Sequence, residues 1–544
     1  MLGFFTKKIF EVNAMKIIHT FMPTRDGVNL ATDVYLPDLA GEYPLIIIRS
    51  PYYSAPWKPV EEAEDFCRQG VGMLIQDCRG TGRSEGEADY WRQENFDGED
   101  LLRWLMRQKF FNGRAVTNGE SYPGGTQYQA ARCSLPQLVG ITPHNAPWNI
   151  YQCHYVNGVP KMSLFVWAFG MRKTRMNYKD AEVSAVNCLQ RPIKELDSKL
   201  FNVKWPLYQT WLKHLKYDEY WRRANAGSCF ERMLAPGFIT GGWFDIFIRQ
   251  TLEAFRTLRR DGASRQCRDY TRCVIEPLDH DMRTHEVDYG ADYLADIIEN
   301  RNKFMVNILR KPTADPLPNY PLLRLFIMGI NEYRDFDYWP PRGGETRHFY
   351  LNAAGGLTSV PDPVEYIFHY TYDPNNPVPT WGGNHLGYLP CGQREQSRFD
   401  SRQDIIFFRT EQLETPLNLV GDFKITLYVS SDAKCTDFTA KLMDEYPDGR
   451  SYNICDSIQR VHFSDRNSGE IKELKFSIGL SGIVILREHR LKLAISSSNY
   501  PAYENNLNNG ESFEVAINGI PAQQQIHTGA NYPSCLELPV FKKL

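Results

Sequence analysis

Four consecutive aliphatic residues, Leu45-Ile46-Ile47-Ile48, require a strand covered on both of its faces. A half-exposed strand would alternate apolar with polar residues. Val71-Gly72-Met73-Leu74-Ile75, Ala115-Val116-Thr117 and Leu138-Val139-Gly140-Ile141 continue the series. Between them, Leu101, Leu102, Trp104, Leu105 and Met106 fall at helical spacing. That spacing predicts a helix over 97–108, opened by Asp97-Gly98-Glu99-Asp100, whose charges suit a helix N-terminus. Strands alternating with helices predict an α/β fold built on a doubly wound parallel sheet.

The rhythm breaks over 148–231, a stretch rich in Trp, Tyr, Lys and Arg that reads as irregularly connected helices. It resumes at Gly237-Phe238-Ile239-Thr240, then Leu252, Phe255 and Leu258, then Cys273-Val274-Ile275. Such an interruption predicts a helical cap lying over the carboxyl ends of the strands, where open α/β sheets bind ligands. Past 335 the segments shorten and alternate, as in Lys424-Ile425-Thr426-Leu427-Tyr428-Val429 and Leu491-Lys492-Leu493-Ala494-Ile495. Turns at Pro447-Asp448-Gly449 and Asn508-Asn509-Gly510 separate them, the pattern of an antiparallel jelly roll. The expected organisation is a sheet domain over 1–147 and 232–335, a cap over 148–231 and a C-terminal β-domain over 336–544.

A formal charge of −3 supplies no electrostatic footprint for nucleic acid or an anionic membrane. No apolar stretch approaches membrane-spanning length. Residues 1–14, with Lys7, Lys8 and Glu11, make a poor signal peptide and read as an extension ahead of Met15. Twelve cysteines without a CxxC pair suit reduced thiols, so a cytoplasmic protein without a disulfide framework or zinc site is expected.

Chemistry concentrates at Asn118-Gly119-Glu120-Ser121-Tyr122-Pro123-Gly124-Gly125, between a predicted strand and a helical run. A serine on such a turn is pushed out above the sheet, and the helix that follows favours an oxyanion. The glycine stands three residues after Ser121, so the GxSxG pattern is not met as written. A serine needs a base, and the base an orienting carboxylate, in the chain order serine, acid, histidine. Asp245, in Gly241-Gly242-Trp243-Phe244-Asp245, and His280, in Ile275-Glu276-Pro277-Leu278-Asp279-His280, follow two predicted strands in that order. His285 is the rival base. Asp279 and Asp281 read as solvated loop charges, because adjacent side chains rarely point at one another.

Gly119-Glu120-Ser121-Tyr122-Pro123-Gly124 resembles the Gly-x-Ser-Tyr-x-Gly motif of cocaine-esterase-type hydrolases, relatives of X-prolyl dipeptidyl aminopeptidases. Arg25-Asp26-Gly27, Arg49-Ser50-Pro51-Tyr52, Asp77-Cys78-Arg79-Gly80-Thr81-Gly82 and Gly242-Trp243-Phe244-Asp245 are similar to further family markers, as is Ser496-Ser497-Ser498-Asn499-Tyr500-Pro501. The resemblance implies an α/β-hydrolase domain, an inserted helical cap and a C-terminal jelly-roll, galactose-binding-like domain. It also implies an oxyanion hole made by the Tyr52 phenol and the Tyr122 amide. Two departures stand out: Glu276-Pro277-Leu278 where the family often has Gly-Pro-Trp, and Glu120 beside the nucleophile.

Trp167 and Phe247 are candidates for an acyl-pocket wall. The expected activity is serine hydrolysis of a small-molecule acyl ester or amide through an acyl-enzyme, without cofactor or metal, in a possible homo-oligomer. Alternatives are an X-prolyl dipeptidyl aminopeptidase or α-amino acid ester hydrolase, for which Asp180 and Glu182 are cap acids, an acyltransferase, and a carbohydrate-binding protein with an inactive hydrolase domain.

Overall fold

A computed structural model describes residues 8–12, 15–38, 40–52, 59–171, 190–284, 286–290, 293–387 and 389–544. The apolar runs become strands at the centre of a sheet that has eleven strands among the described residues. In chain order these are β1 (Lys8–Val12), β2 (Met15–Pro23), β3 (Asn29–Leu36), β4 (Tyr43–Ser50), β5 (Gly72–Asp77), β6 (Phe111–Glu120) and β7 (Leu138–His144). A two-strand hairpin, β8 (Tyr155–Val156) and β9 (Val159–Pro160), precedes the return to the sheet with β10 (Phe238–Phe244), β11 (Arg272–Asp279), β12 (Leu323–Ile327) and β13 (Glu332–Phe336). The spatial order is β1-β2-β3-β5-β4-β6-β7-β10-β11-β12-β13, parallel from β5 to β12 and antiparallel at both margins. Every residue of β5, β10 and β11 is buried, as two-faced cover demands.

The first helices are α1 (Pro59–Arg68), α2 (Glu94–Leu105) and α3 (Tyr122–Ala131). The second of these corrects the expected 97–108: it starts at Glu94, and Met106 is its C-terminal cap. The reason is electrostatic. Glu94 and Asp97 are buried against Arg49 and Arg79 rather than displayed at a solvated helix end.

Between β7 and β10 lie α4 (Ile150–His154), α5 (Met162–Gly170), α6 (Leu196–Phe201), α7 (Pro206–Trp211) and α8 (Glu219–Ala224), the inserted cap. All nine residues of α5 are buried, so this helix is core on every side rather than amphipathic. Three helices complete the layer: α9 (Ile248–Asp261), α10 (Arg265–Tyr270) and α11 (Tyr293–Arg310). Asp180, Glu182 and His285 lie outside the described residues. Among the described residues no helix is long and apolar enough to cross a membrane.

The C-terminal part folds into two antiparallel sheets, of seven and four strands among the described residues. In the strand Leu417–Ser431, Phe423, Ile425, Leu427 and Val429 are buried while Lys424 is exposed. This domain docks on the margin of the large sheet. Met328 N–H donates to Gly482 O at 3.0 Å, and Val484 N–H returns a bond to Met328 O at 2.9 Å. All eleven described cysteines are free thiols.

Candidate active site

Ser121, Asp245, His280 and Tyr52 follow β6, β10, β11 and β4 respectively, so neighbouring parallel strands deliver all four to one end of the sheet. Ser121 sits at φ 59° and ψ −121°, a conformation that costs a non-glycine residue about 1–3 kcal/mol. Its N–H donates to His144 O at 2.9 Å and its carbonyl accepts from Gly125 N–H at 2.9 Å, which holds the turn. A Cβ on Gly124 would lie 2.5 Å from Ala146 Cβ and 3.1 Å from the carbonyls of Gly119 and His144. This close approach is the reason for a glycine three residues after the serine. A Cβ on Gly119 (φ 146°) would stand 2.5 Å from Pro123 Cβ.

The structure brings the three ordered residues together. Ser121 Oγ lies 3.1 Å from His280 Nε2, and His280 Nδ1 lies 2.5 Å from Asp245 Oδ2. Asp245 is fully buried, and its second oxygen accepts from Phe247 N–H at 2.7 Å. The carboxylate therefore holds the proton on Nδ1 and leaves Nε2 to accept from the serine. Burial alone would push the imidazole down. The charge and hydrogen bond of Asp245, joined by Glu120 and Asp281, hold it up at about 9.

Tyr122 opens α3, so its N–H belongs to the first turn, where the helix supplies no acceptor of its own. The half-buried Tyr52 packs edge-on against the Tyr122 ring, with centroids 6.3 Å apart. Trp167 from α5 stacks on Tyr122 with centroids 6.3 Å apart, and Phe247 meets the His280 ring edge-on at 5.4 Å. Trp167 thus lies beside the residue that follows the serine and Phe247 beside the histidine, in one apolar cluster with Tyr90, Leu386 and Leu389.

Two features escape the sequence reading. Asp279 is not a solvated loop charge. It is fully buried, and its carboxylate accepts from the N–H groups of Asp281 and Arg283, each at 2.9 Å, and from Cys391 Sγ at 3.0 Å. The carboxylate pins the turn that carries His280. Asp281, by contrast, is partly exposed and paired with Arg283 at 2.6 Å. The second is the reach of the C-terminal domain. Asn384 donates through Nδ2 to the carbonyls of Trp243 at 3.1 Å and Asp245 at 3.3 Å, tying the acid's loop from outside the sheet domain. Nothing local in the sequence signals the Cys391 or Asn384 contacts, whose partners are more than a hundred residues apart.

The two departures also meet. Burial pushes the Glu120 carboxyl up to about 7 and, with the charge of Glu120 added, that of Glu276 up to about 8. Both oxygens of Glu276 are buried without a hydrogen-bond partner. Arg301 of α11 is the cation whose charge acts on both.

Residues 26–281 match the family described as X-Pro dipeptidyl-peptidase (S15 family), and residues 318–537 match the X-Pro dipeptidyl-peptidase C-terminal non-catalytic domain. The chain is 30% identical to a cocaine esterase of Rhodococcus sp. (strain MB1 Bresler), over 96% of its own length and 98% of that protein. In fold it is similar to an aminopeptidase from a marine sediment archaeon, Thaumarchaeota archaeon, with TM-score 0.84, 18% identity and 99% of each chain covered. A solved α-amino acid ester hydrolase gives TM-score 0.80 at 20% identity, again over 99% of each chain.

Proposed function

Because the chain belongs to the cocaine-esterase and X-Pro dipeptidyl-peptidase (S15) family of serine hydrolases, we propose that its ester-cleaving centre is Ser121, His280 and Asp245. The protein is a serine hydrolase acting on ester bonds. The observation that carries the residue assignment is the unbroken relay Ser121 Oγ–His280 Nε2 and His280 Nδ1–Asp245 Oδ2, at 3.1 and 2.5 Å.

The reaction runs in two steps. Neutral His280 takes the proton of Ser121 as its oxygen attacks the ester carbonyl. Asp245 fixes the imidazole tautomer and stabilises the imidazolium. The Tyr52 phenol and the Tyr122 N–H donate to the developing oxyanion. As the tetrahedral intermediate collapses, His280 returns the proton to the departing alcohol. Water then attacks the acyl-enzyme with His280 as base, releasing the acid and restoring Ser121.

Trp167 and Phe247 wall the pocket that receives the acyl group, and this favours an apolar or aromatic acid over a charged one. The free thiols favour a reducing compartment such as the cytoplasm. A panel of acyl esters, with an X-Pro anilide for the peptidase reading, tests the assignment. Turnover of apolar acyl esters that Ser121→Ala abolishes is expected. Turnover confined to the anilide would move the reading to a dipeptidyl peptidase.

A further inference from the structure

We propose that the buried Arg49–Glu94 ion pair is a brace that sets the separation of the two oxyanion donors, Tyr52 and the Tyr122 amide. The inference rests on the reading of Ser121 as nucleophile.

Arg49 lies near the end of β4, three residues before Tyr52. Its Nη1 lies 2.9 Å from Glu94 Oε2 and donates to Glu94 O at 2.9 Å, while Nε donates to Gln76 Oε1 at 2.9 Å. The other carboxylate oxygen of Glu94 accepts from the Tyr122 hydroxyl at 2.8 Å. That hydroxyl in turn accepts from Trp91 N–H at 2.9 Å, and the indole of Trp91 lies against the Tyr122 ring with centroids 3.8 Å apart. One carboxylate thus grips both the strand that leads into Tyr52 and the residue whose amide faces the oxyanion.

The chain of charges continues away from the site. Arg49 Nη2 stands 3.9 Å from Asp97 Oδ2, and Asp97 holds Arg79 at 2.6 and 3.1 Å. Arg79 holds Asp26 at 2.8 and 3.1 Å near the surface. Arg49, Glu94 and Asp97 expose 5% of their side chains or less.

Stability does not explain such a row. A buried ion pair is often replaceable by apolar side chains at no loss, because desolvation offsets most of its attraction. Its distinctive property is geometry: directional, charge-assisted bonds fix distances that an apolar contact would let slide. An oxyanion hole needs that constraint, since donors contribute only when aimed at the position the oxyanion will occupy. Glu94 and Arg49 are accordingly positioning residues, acting through Tyr122 and Tyr52.

The test uses the full chain with a p-nitrophenyl ester and an arylboronic acid, whose anionic tetrahedral serine adduct places a boronate hydroxyl oxygen in the hole. Tyr122→Phe removes the phenol link but leaves the ring, the amide and the Arg49–Glu94 pair. Glu94→Gln keeps an acceptor for the phenol but removes the charge facing Arg49. For both we expect kcat lower by about 10- to 100-fold, KM within about twofold, and boronate Ki raised by the same factor as kcat falls. Fluorophosphonate should still titrate one serine per chain, and Glu94→Asp should recover part of kcat. A folded Tyr122→Phe with wild-type kcat, or a kcat loss without a matching rise in boronate Ki, overturns the brace. Tyr122→Phe decides the matter if Glu94→Gln does not fold. Retained activity in Ser121→Ala would instead remove the underlying reading, and the brace with it.

Discussion

Glu276 gives the protein a liability in alkaline solution that glutamine should remove. The carboxyl is fully buried on β11 with both oxygens unpartnered, and burial together with Glu120 pushes it from 4.5 up to about 8. A group raised in the folded state favours folding below its unfolded value and loses that contribution as pH climbs through the folded one. The loss is small at pH 5, about 3 kcal/mol at pH 7 and on the order of 5 kcal/mol above pH 8. Glu276→Gln keeps the shape and leaves an amide whose unmet hydrogen bonds cost the same at every pH. The difference between two pH values therefore isolates ionisation. Thermal unfolding followed by circular dichroism at pH 5.5 and pH 8 should show the variant's advantage growing by about 3 kcal/mol. That is a relative gain of about 3 °C, at about 1 °C per kcal/mol for a chain of this length. An advantage of equal size at both pH values would refute the reasoning, because it would mean that Arg301 neutralises Glu276 as a carboxylate.

Three further outcomes follow from the site. Tyr52→Phe should lower kcat by about 10²–10³ with an unchanged circular dichroism spectrum; turnover within twofold of wild type would remove its hydroxyl from the oxyanion hole. Glu120 favours the imidazolium of His280, so Glu120→Gln should lower the imidazole and carry the acid limb of kcat/KM to lower pH; a limb that stays put or moves up would contradict that sign. Asn384→Ala removes both bonds that tie the Asp245 loop to the C-terminal domain, at a cost of about 1–3 kcal/mol, measurable as a lower melting temperature together with reduced kcat.

Much of the sheet domain is legible in the sequence because its central strands are covered on both faces. Leu45–Ile48 and Cys273–Ile275 have no polar alternation to obscure them, and both lie within observed strands. Ser121, Asp245 and His280 are legible for a related reason: each stands one residue beyond its strand, so chain order and strand ends alone bring them together. Contacts between charges distant in sequence are hidden. Asp97 reads as part of the acidic opening of a helix and Glu94 falls ahead of it, yet both turn inward because Arg49 arrives from β4 and Arg79 from just beyond β5. Asp279 reads as solvated for want of Cys391, which lies 112 residues further along the chain. The displaced glycine at 124 becomes intelligible only once Ala146 and two backbone carbonyls are seen packed against it.

Everything proposed for the site depends on Ser121 attacking the ester carbonyl. Mass spectrometry of the protein after reaction with a fluorophosphonate probe tests it most directly. A single covalent adduct on the peptide containing Ser121 is expected, with loss of ester turnover in step with labelling, and neither adduct nor turnover in Ser121→Ala. An adduct on another residue, or an Ser121→Ala protein that still hydrolyses esters at the wild-type rate, would contradict it.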